Sequence, residues 1–123
     1  MYATESSEMY LENILVLSQK QEMVRAIDIT RYSGYSKPSV SRAMGILKRQ
    51  GHIVVGEDGH ITLTQSGLAI AEKILERHHI ITPLLVGLGV SPETATQDAC
   101  KMEHDLSDET FEALKRHLSE FHI

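Results

Sequence analysis

The chain has 123 residues, a single cysteine and a net charge of −5. That length holds one domain or two small lobes; no apolar run reaches membrane-spanning length, the N-terminus lacks signal-peptide character, and one cysteine cannot build a disulfide framework. These features point to a cytoplasmic chain with no membrane association, and to a cysteine that stays a thiol or binds a metal.

The elements follow in order. Residues 5–19 carry Met9, Leu11, Ile14, Leu15 and Leu17 near a 3.6-residue period, which predicts an amphipathic helix, broken at Gln21 and Glu22. A short helix is expected from about Ala26 to Tyr32, with Ser33 and Gly34 as the turn. Ser36 suits an N-cap, with Pro38 in the first turn, where a missing N–H costs nothing. The helix it opens runs to about Gln50 and buries Val40, Met44 and Leu47; Gly51 ends it. Two β-rich runs, His52–Gly56 and His60–Thr64, flank Glu57, Asp58 and Gly59, and Asp-Gly between β-formers predicts a hairpin. Thr64 caps a long helix from about Gln65 with the stripe Leu68, Ala71, Ile74, Leu75, His78 and Ile81, which Pro83 should kink or end. Ser91 and Pro92 open another helix; Ser107, Asp108 and Glu109 open the last, with Phe111, Leu114, Leu118 and Phe121 apolar. The expected fold is mainly α: an N-terminal winged helix-turn-helix with a two-stranded wing, then a helical lobe.

Charge is distributed unevenly along this plan. Residues 1–22 carry one base and four acids, 23–56 carry six bases against Asp28 alone, and 57–123 carry five bases against twelve acids. The middle segment is thus +5 within an acidic chain, and local field governs docking on phosphates. On the third helix Ser36, Lys37, Ser39, Ser41 and Arg42 face away from the apolar stripe. Arg42 can pair with guanine in a bidentate manner, Pro38 and serine can pack on thymine methyls, and Lys37 and Arg49 suit phosphate. With Arg25, these eight residues are the candidate contacts to double-stranded DNA.

A second chemistry lies outside that segment. Cys100, Glu103 and His104 stand at i, i+3 and i+4, so one helical face presents a thiolate, a carboxylate and an imidazole. Met9 and Glu12 add a thioether and a carboxylate at i, i+3 on the first helix, and His78 falls on an inward stripe. Mixed S, N and O donors suit a borderline transition ion over magnesium or calcium. His79 points about 100° away from His78, and His52, His60, His117 and His122 show no ligand spacing.

These motifs resemble one family, the metal-dependent repressors typified by the diphtheria toxin repressor and the manganese transport regulator. The resemblance runs from Glu8–Glu12 through Ser36–Ser41 to Asp98–Glu109. It implies that Met9, Cys100, Glu103 and His104 match the primary site of iron-type repressors, while Glu12 and His78 match ligands of the manganese-type binuclear site. Met9 and Cys100 replace the manganese type's oxygen donors, and Glu12 stands where the iron type lacks a carboxylate. Two positions of the iron type's ancillary site are Thr82 and Thr96 here, so that site should be absent or rebuilt. The sequence ends soon after its last helix, which implies a short form without the C-terminal barrel. The implied organisation is a DNA-binding domain over 1–64 and a metal-binding and dimerisation domain over 65–123. The implied function is a homodimer on a palindromic operator, repressing metal-uptake genes.

Thiolate and thioether favour Fe(II) as corepressor and Glu12 favours Mn(II), while Co, Ni or Zn can substitute in vitro. Two rival classes stand beside this reading. One is a winged-helix regulator answering to an organic ligand, redox state or partner protein with no regulatory metal. The other is a small metalloenzyme, against which stands the lack of a nucleophile motif, a Gly-rich phosphate loop and a substrate-pocket signal.

Overall fold

The computed structural model describes the backbone of residues 2–121 and the side chains of residues 7–118. Six helices and one hairpin follow in the order α1 (Tyr2–Lys20), α2 (Ala26–Ser33), α3 (Lys37–Arg49), β1 (Ile53–Val55), β2 (Ile61–Leu63), α4 (Gln65–Gly87), α5 (Pro92–Asp105) and α6 (Asp108–Phe121). The chain divides into two compact units, Met1–Glu72 and Lys73–Ile123, with the division falling inside α4. Among the described residues no helix is long and apolar enough to cross a membrane.

The first unit is a winged helix. Helix α1 packs on α2, α3 and β2, α2 packs on α3, and α3 packs on β1. Its interior is aliphatic: Leu11, Ile14, Val24, Ile29, Val40 and Leu47 are each at most 1 % exposed. At about 1.5–3 kcal/mol for each side chain of this size removed from water, such burial dominates the stability of the unit. Ser36 caps α3 as expected, its Oγ accepting the Ser39 N–H at 3.3 Å, and Thr64 Oγ1 accepts the Gly67 N–H at 3.2 Å at the start of α4. The wing pairs Ile53 with Leu63, Val54 with Thr62 and Val55 with Ile61 in antiparallel register. Its strands are shorter than the β-rich runs because Gly56 and His60 belong to the turn. The Gly56 N–H donates to the His60 carbonyl at 2.9 Å, and Gly59, at φ 86°, supplies the left-handed residue that reverses the chain. The Ile61 N–H donates to the Val24 carbonyl at 2.7 Å, tying the wing to the segment before α2.

Helix α4 departs from its expected stripe at its start. Leu68 is exposed at 37 %, and the buried line runs instead through Gly67, Ala71, Ile74, Arg77 and Ile81. The cause is a close approach at the helix start: a Cβ on Gly67 would lie 2.0 Å from the His52 carbonyl oxygen. Only glycine lets the helix seat against that backbone, and the seat fixes which face turns inward. Pro83 does not end the helix, which continues to Gly87. Proline removes one N–H and leaves the next turn free to form its own bonds.

In the second unit Ile74, Ile81, Ala95, Ala99, Phe111 and Leu118 are buried. Ser91 caps α5 through the Thr94 N–H, and Ser107 caps α6 through the Thr110 N–H. Leu114 is half-buried. The expected apolar role of Phe121 lies outside the described side chains, and His122 lies outside the described residues altogether.

Candidate metal centre

The cluster of the second unit is organised around Glu103. Helix α5 places Cys100, Glu103 and His104 on one face, and α4 brings His78 to meet them. The Glu103 side chain is fully buried, with Oε2 at 3.0 Å from His78 Nδ1 and Oε1 at 3.6 Å from His104 Nε2. The side chain of His104 is itself 1 % exposed, and that of His78 22 %. Ligand atoms of His78, Cys100 and Glu103 all lie within 4.8 Å of one another. Donors that each sit roughly 2.0–2.3 Å from a common ion can be no more than about 4.6 Å apart, so this spacing needs only small side-chain adjustment to close on one.

The chemistry of the donor set fits a cation. Burying an ionised carboxylate costs several kcal/mol after relaxation, and that cost is recovered only when its oxygens are satisfied. No hydrogen bond reaches Glu103 Oε1 among the described residues. In the group formed by His78, Cys100 and Glu103, a sulfur, an imidazole nitrogen and a carboxylate oxygen form a borderline-soft set, matched to a divalent transition ion.

Arg77 holds this arrangement from behind. Its guanidinium donates from Nη1 to the carbonyls of Glu103 at 2.9 Å and Leu106 at 2.7 Å, and from Nη2 to the Asp108 carboxylate at 2.6 Å. It lies 5.3 Å from the Phe111 ring centroid and is 4 % exposed. One rigid fork thus ties off the end of α5 and joins it to the start of α6, fixing the backbone that carries Glu103. Lys73 reaches the same carboxylate at 2.7 Å. The Lys73 hydrogen bond, aided by the Arg77 charge, holds Asp108 below the usual carboxylate range. Arg77 was missed in the sequence, although a signal existed: it stands at i+3 from Ile74 and i−4 from Ile81, inside the apolar stripe.

Met9 and Glu12 lie on α1 in the first unit, both half-buried. The Met9 sulfur accepts a hydrogen bond from the Tyr35 hydroxyl at 3.5 Å. His79 is exposed, its ring centroid 6.1 Å from that of His78.

The candidate DNA contacts gather on and beside α3. Ser36, Lys37, Pro38, Ser41, Arg42 and Arg49 are exposed and Ser39 is half-buried. Ser36 and Ser39 spend part of their hydrogen bonding on each other, Oγ to Oγ at 2.9 Å. Arg25 sits before α2, with its Nε donating to the Asp58 carbonyl of the wing turn at 3.0 Å and its guanidinium 4.0 Å from the Asp58 carboxylate. It therefore braces the wing.

Residues 3–61 match the iron-dependent repressor N-terminal DNA-binding domain, and residues 64–123 match the iron-dependent repressor metal-binding and dimerisation domain. The chain belongs to the iron-dependent repressor family. As a member it is a metal-dependent, DNA-binding transcriptional regulator. It is similar to an uncharacterised HTH-type transcriptional regulator of Methanocaldococcus jannaschii, 34 % identical over 120 residues and covering 96 % of each chain. It is 36 % identical over 106 residues to the transcriptional regulator MntR of Escherichia coli, covering 86 % of this chain and 68 % of MntR. Among solved structures the manganese regulator SloR superposes with a TM-score of 0.84 at 25 % identity, over 92 % of this chain. This chain spans about half of SloR, 53 % of its length.

Proposed function

We propose that this family member is a repressor of iron or manganese uptake genes, with Fe(II) or Mn(II) as corepressor. The carrying observation is the fully buried Glu103 carboxylate, with the ligand atoms of His78 and Cys100 within 4.8 Å of it. In this reading Cys100, Glu103, His104 and His78 hold the ion together with Met9 and Glu12 of α1, and a homodimer in the cytoplasm presents two α3 helices to a palindromic operator. The domain division follows the same logic, with 1–64 reading DNA and 65–123 sensing and dimerising. Bound there, an ion supplies the positive charge that a buried carboxylate and a thiolate need near neutral pH. Arg42 reads a base edge, and Lys37 and Arg49 hold phosphates.

The test is metal analysis of anaerobically purified protein, joined to operator binding across a panel of ions at fixed salt. Affinity should rise at least about tenfold with Fe(II) or Mn(II), roughly 1.4 kcal/mol of coupling. Equal affinity with metal and with chelator defeats the proposal. Salt is held constant because the basic segment alone gives salt-dependent nonspecific binding.

A further inference from the structure

The wing turn carries two acids, Glu57 and Asp58, directly after the basic segment 23–56. Asp58 is placed against Arg25, a candidate DNA contact. Its Oδ1 accepts the His60 N–H at 3.0 Å, which fixes the carboxylate within the turn. Its Oδ2 lies 4.0 Å from Arg25 Nη2, while its backbone carbonyl accepts from Arg25 Nε at 3.0 Å. The Arg25 stem runs along the same turn, since a Cβ on Gly59 would lie 3.9 Å from its Cδ. At its other end the Arg25 backbone N–H donates to Asp28 Oδ2 at 2.9 Å, and the neighbouring Val24 carbonyl accepts the Ile61 N–H. Arg25 is thus pinned at its backbone and at Nε, and the Nη edge of its guanidinium faces a carboxylate without being tightly held by it. The two side chains are 47 % and 57 % exposed, so that edge is open to solvent.

A guanidinium offers the same fork to a carboxylate and to a phosphate. We propose that Asp58 is a built-in competitor of DNA: its carboxylate holds the Nη edge of Arg25 that would otherwise take a backbone phosphate, and so lowers the affinity of the winged helix for DNA of any sequence. The inference goes beyond the proposed function and rests on DNA binding alone, whichever ion is sensed. An exposed pair at this distance is weak, so phosphate can displace it, at a cost that appears as reduced affinity. The cost serves selectivity, because a regulator that gripped every duplex firmly would be held away from its operator by the excess of competing sites.

The experiment measures binding of the full chain to random-sequence duplex DNA by fluorescence anisotropy, at fixed low salt and fixed manganese. Asp58→Asn keeps an oxygen for the His60 N–H and the backbone carbonyl for Arg25 Nε, and removes only the charge. It should raise affinity about threefold, within the range of an exposed ion pair. Glu57→Gln removes the same charge from the adjacent position and should give a clearly smaller gain. In the Arg25→Gln background the gain from Asp58→Asn should fall to that of Glu57→Gln. No gain for Asp58→Asn, equal gains for the two wing substitutions, or a gain that survives in Arg25→Gln overturns the proposal. A parent chain that fails to bind the duplex overturns it at the level of DNA binding itself.

Discussion

In the first unit the largest fully buried side chains are all aliphatic, from Leu11 and Ile14 through Ile29 to Leu47, and the basic residues Lys37, Arg42 and Arg49 stand outside in solvent. In the second unit Ile74 and Ile81 share the interior with the guanidinium of Arg77 and the carboxylate of Glu103. The contrast follows from what each unit must do. A surface that meets DNA phosphates needs only a rigid scaffold beneath it, and close-packed hydrocarbon supplies that. A site that takes an ion needs donors withdrawn from water, so that the ion does not compete with bulk solvent for them. Buried charge is a poor source of stability by itself. Among the described residues buried charge is found only in the second unit, where the proposed ion site lies.

Substitutions in each unit test this contrast. The largest effect belongs to the hydrocarbon core: Leu47→Ala should cost about 2–5 kcal/mol in denaturant unfolding followed by a probe in the first unit. A loss below about 1 kcal/mol would mean that the scaffold is less tightly packed than its burial indicates. Arg77→Met comes next, at about 3 kcal/mol, because the carbonyls of Glu103 and Leu106 lose their donors while remaining shielded. Arg77→Lys should recover little, since one ammonium cannot span three acceptors as the fork does.

Glu103→Leu separates folding from sensing. The metal-free protein should hold or gain stability, as apolar replacement of buried charge commonly allows. The stabilisation of about 2.7 kcal/mol expected from an ion at one hundred times its Kd should vanish. Melting with and without manganese decides it, and a variant that keeps its metal-induced shift removes Glu103 from the site.

Arg42→Ala should weaken specific operator binding by about 1–3 kcal/mol and leave nonspecific binding almost intact. Lys37→Ala should weaken both alike. A uniform loss for Arg42→Ala makes it a phosphate contact.

The smallest effect is in acid. Lys73 and Arg77 hold the Asp108 carboxyl below its ordinary value of 3.8. The unfolded chain therefore binds this proton more readily than the folded one, and the contribution is complete above the unfolded value and lost as pH falls through the folded value. The stability difference between the parent and Asp108→Asn should be constant above about pH 5 and should shrink below about pH 4. A difference that grows in acid reverses the sign of the argument.

What the sequence determined about this protein is whatever is settled within a turn or two of chain. Ser36, Thr64, Ser91 and Ser107 each cap a helix through an N–H three residues ahead, a geometry written in local spacing. The helical period likewise put Cys100, Glu103 and His104 on one face before any packing was known, and the family resemblance supplied the rest of the proposed ligands. Tertiary structure decided what depends on how whole helices rotate and meet. The seat of Gly67 on the His52 carbonyl turned Leu68 outward, and the stripe that follows brought His78 to within 3.0 Å of a carboxylate 25 residues away and buried Arg77. The hold of Tyr35 on the Met9 sulfur, across 26 residues, likewise carries no local signature. A periodic pattern gives the direction of a side chain about its own axis, whereas the partner it meets is fixed by the close contacts that set that axis in place.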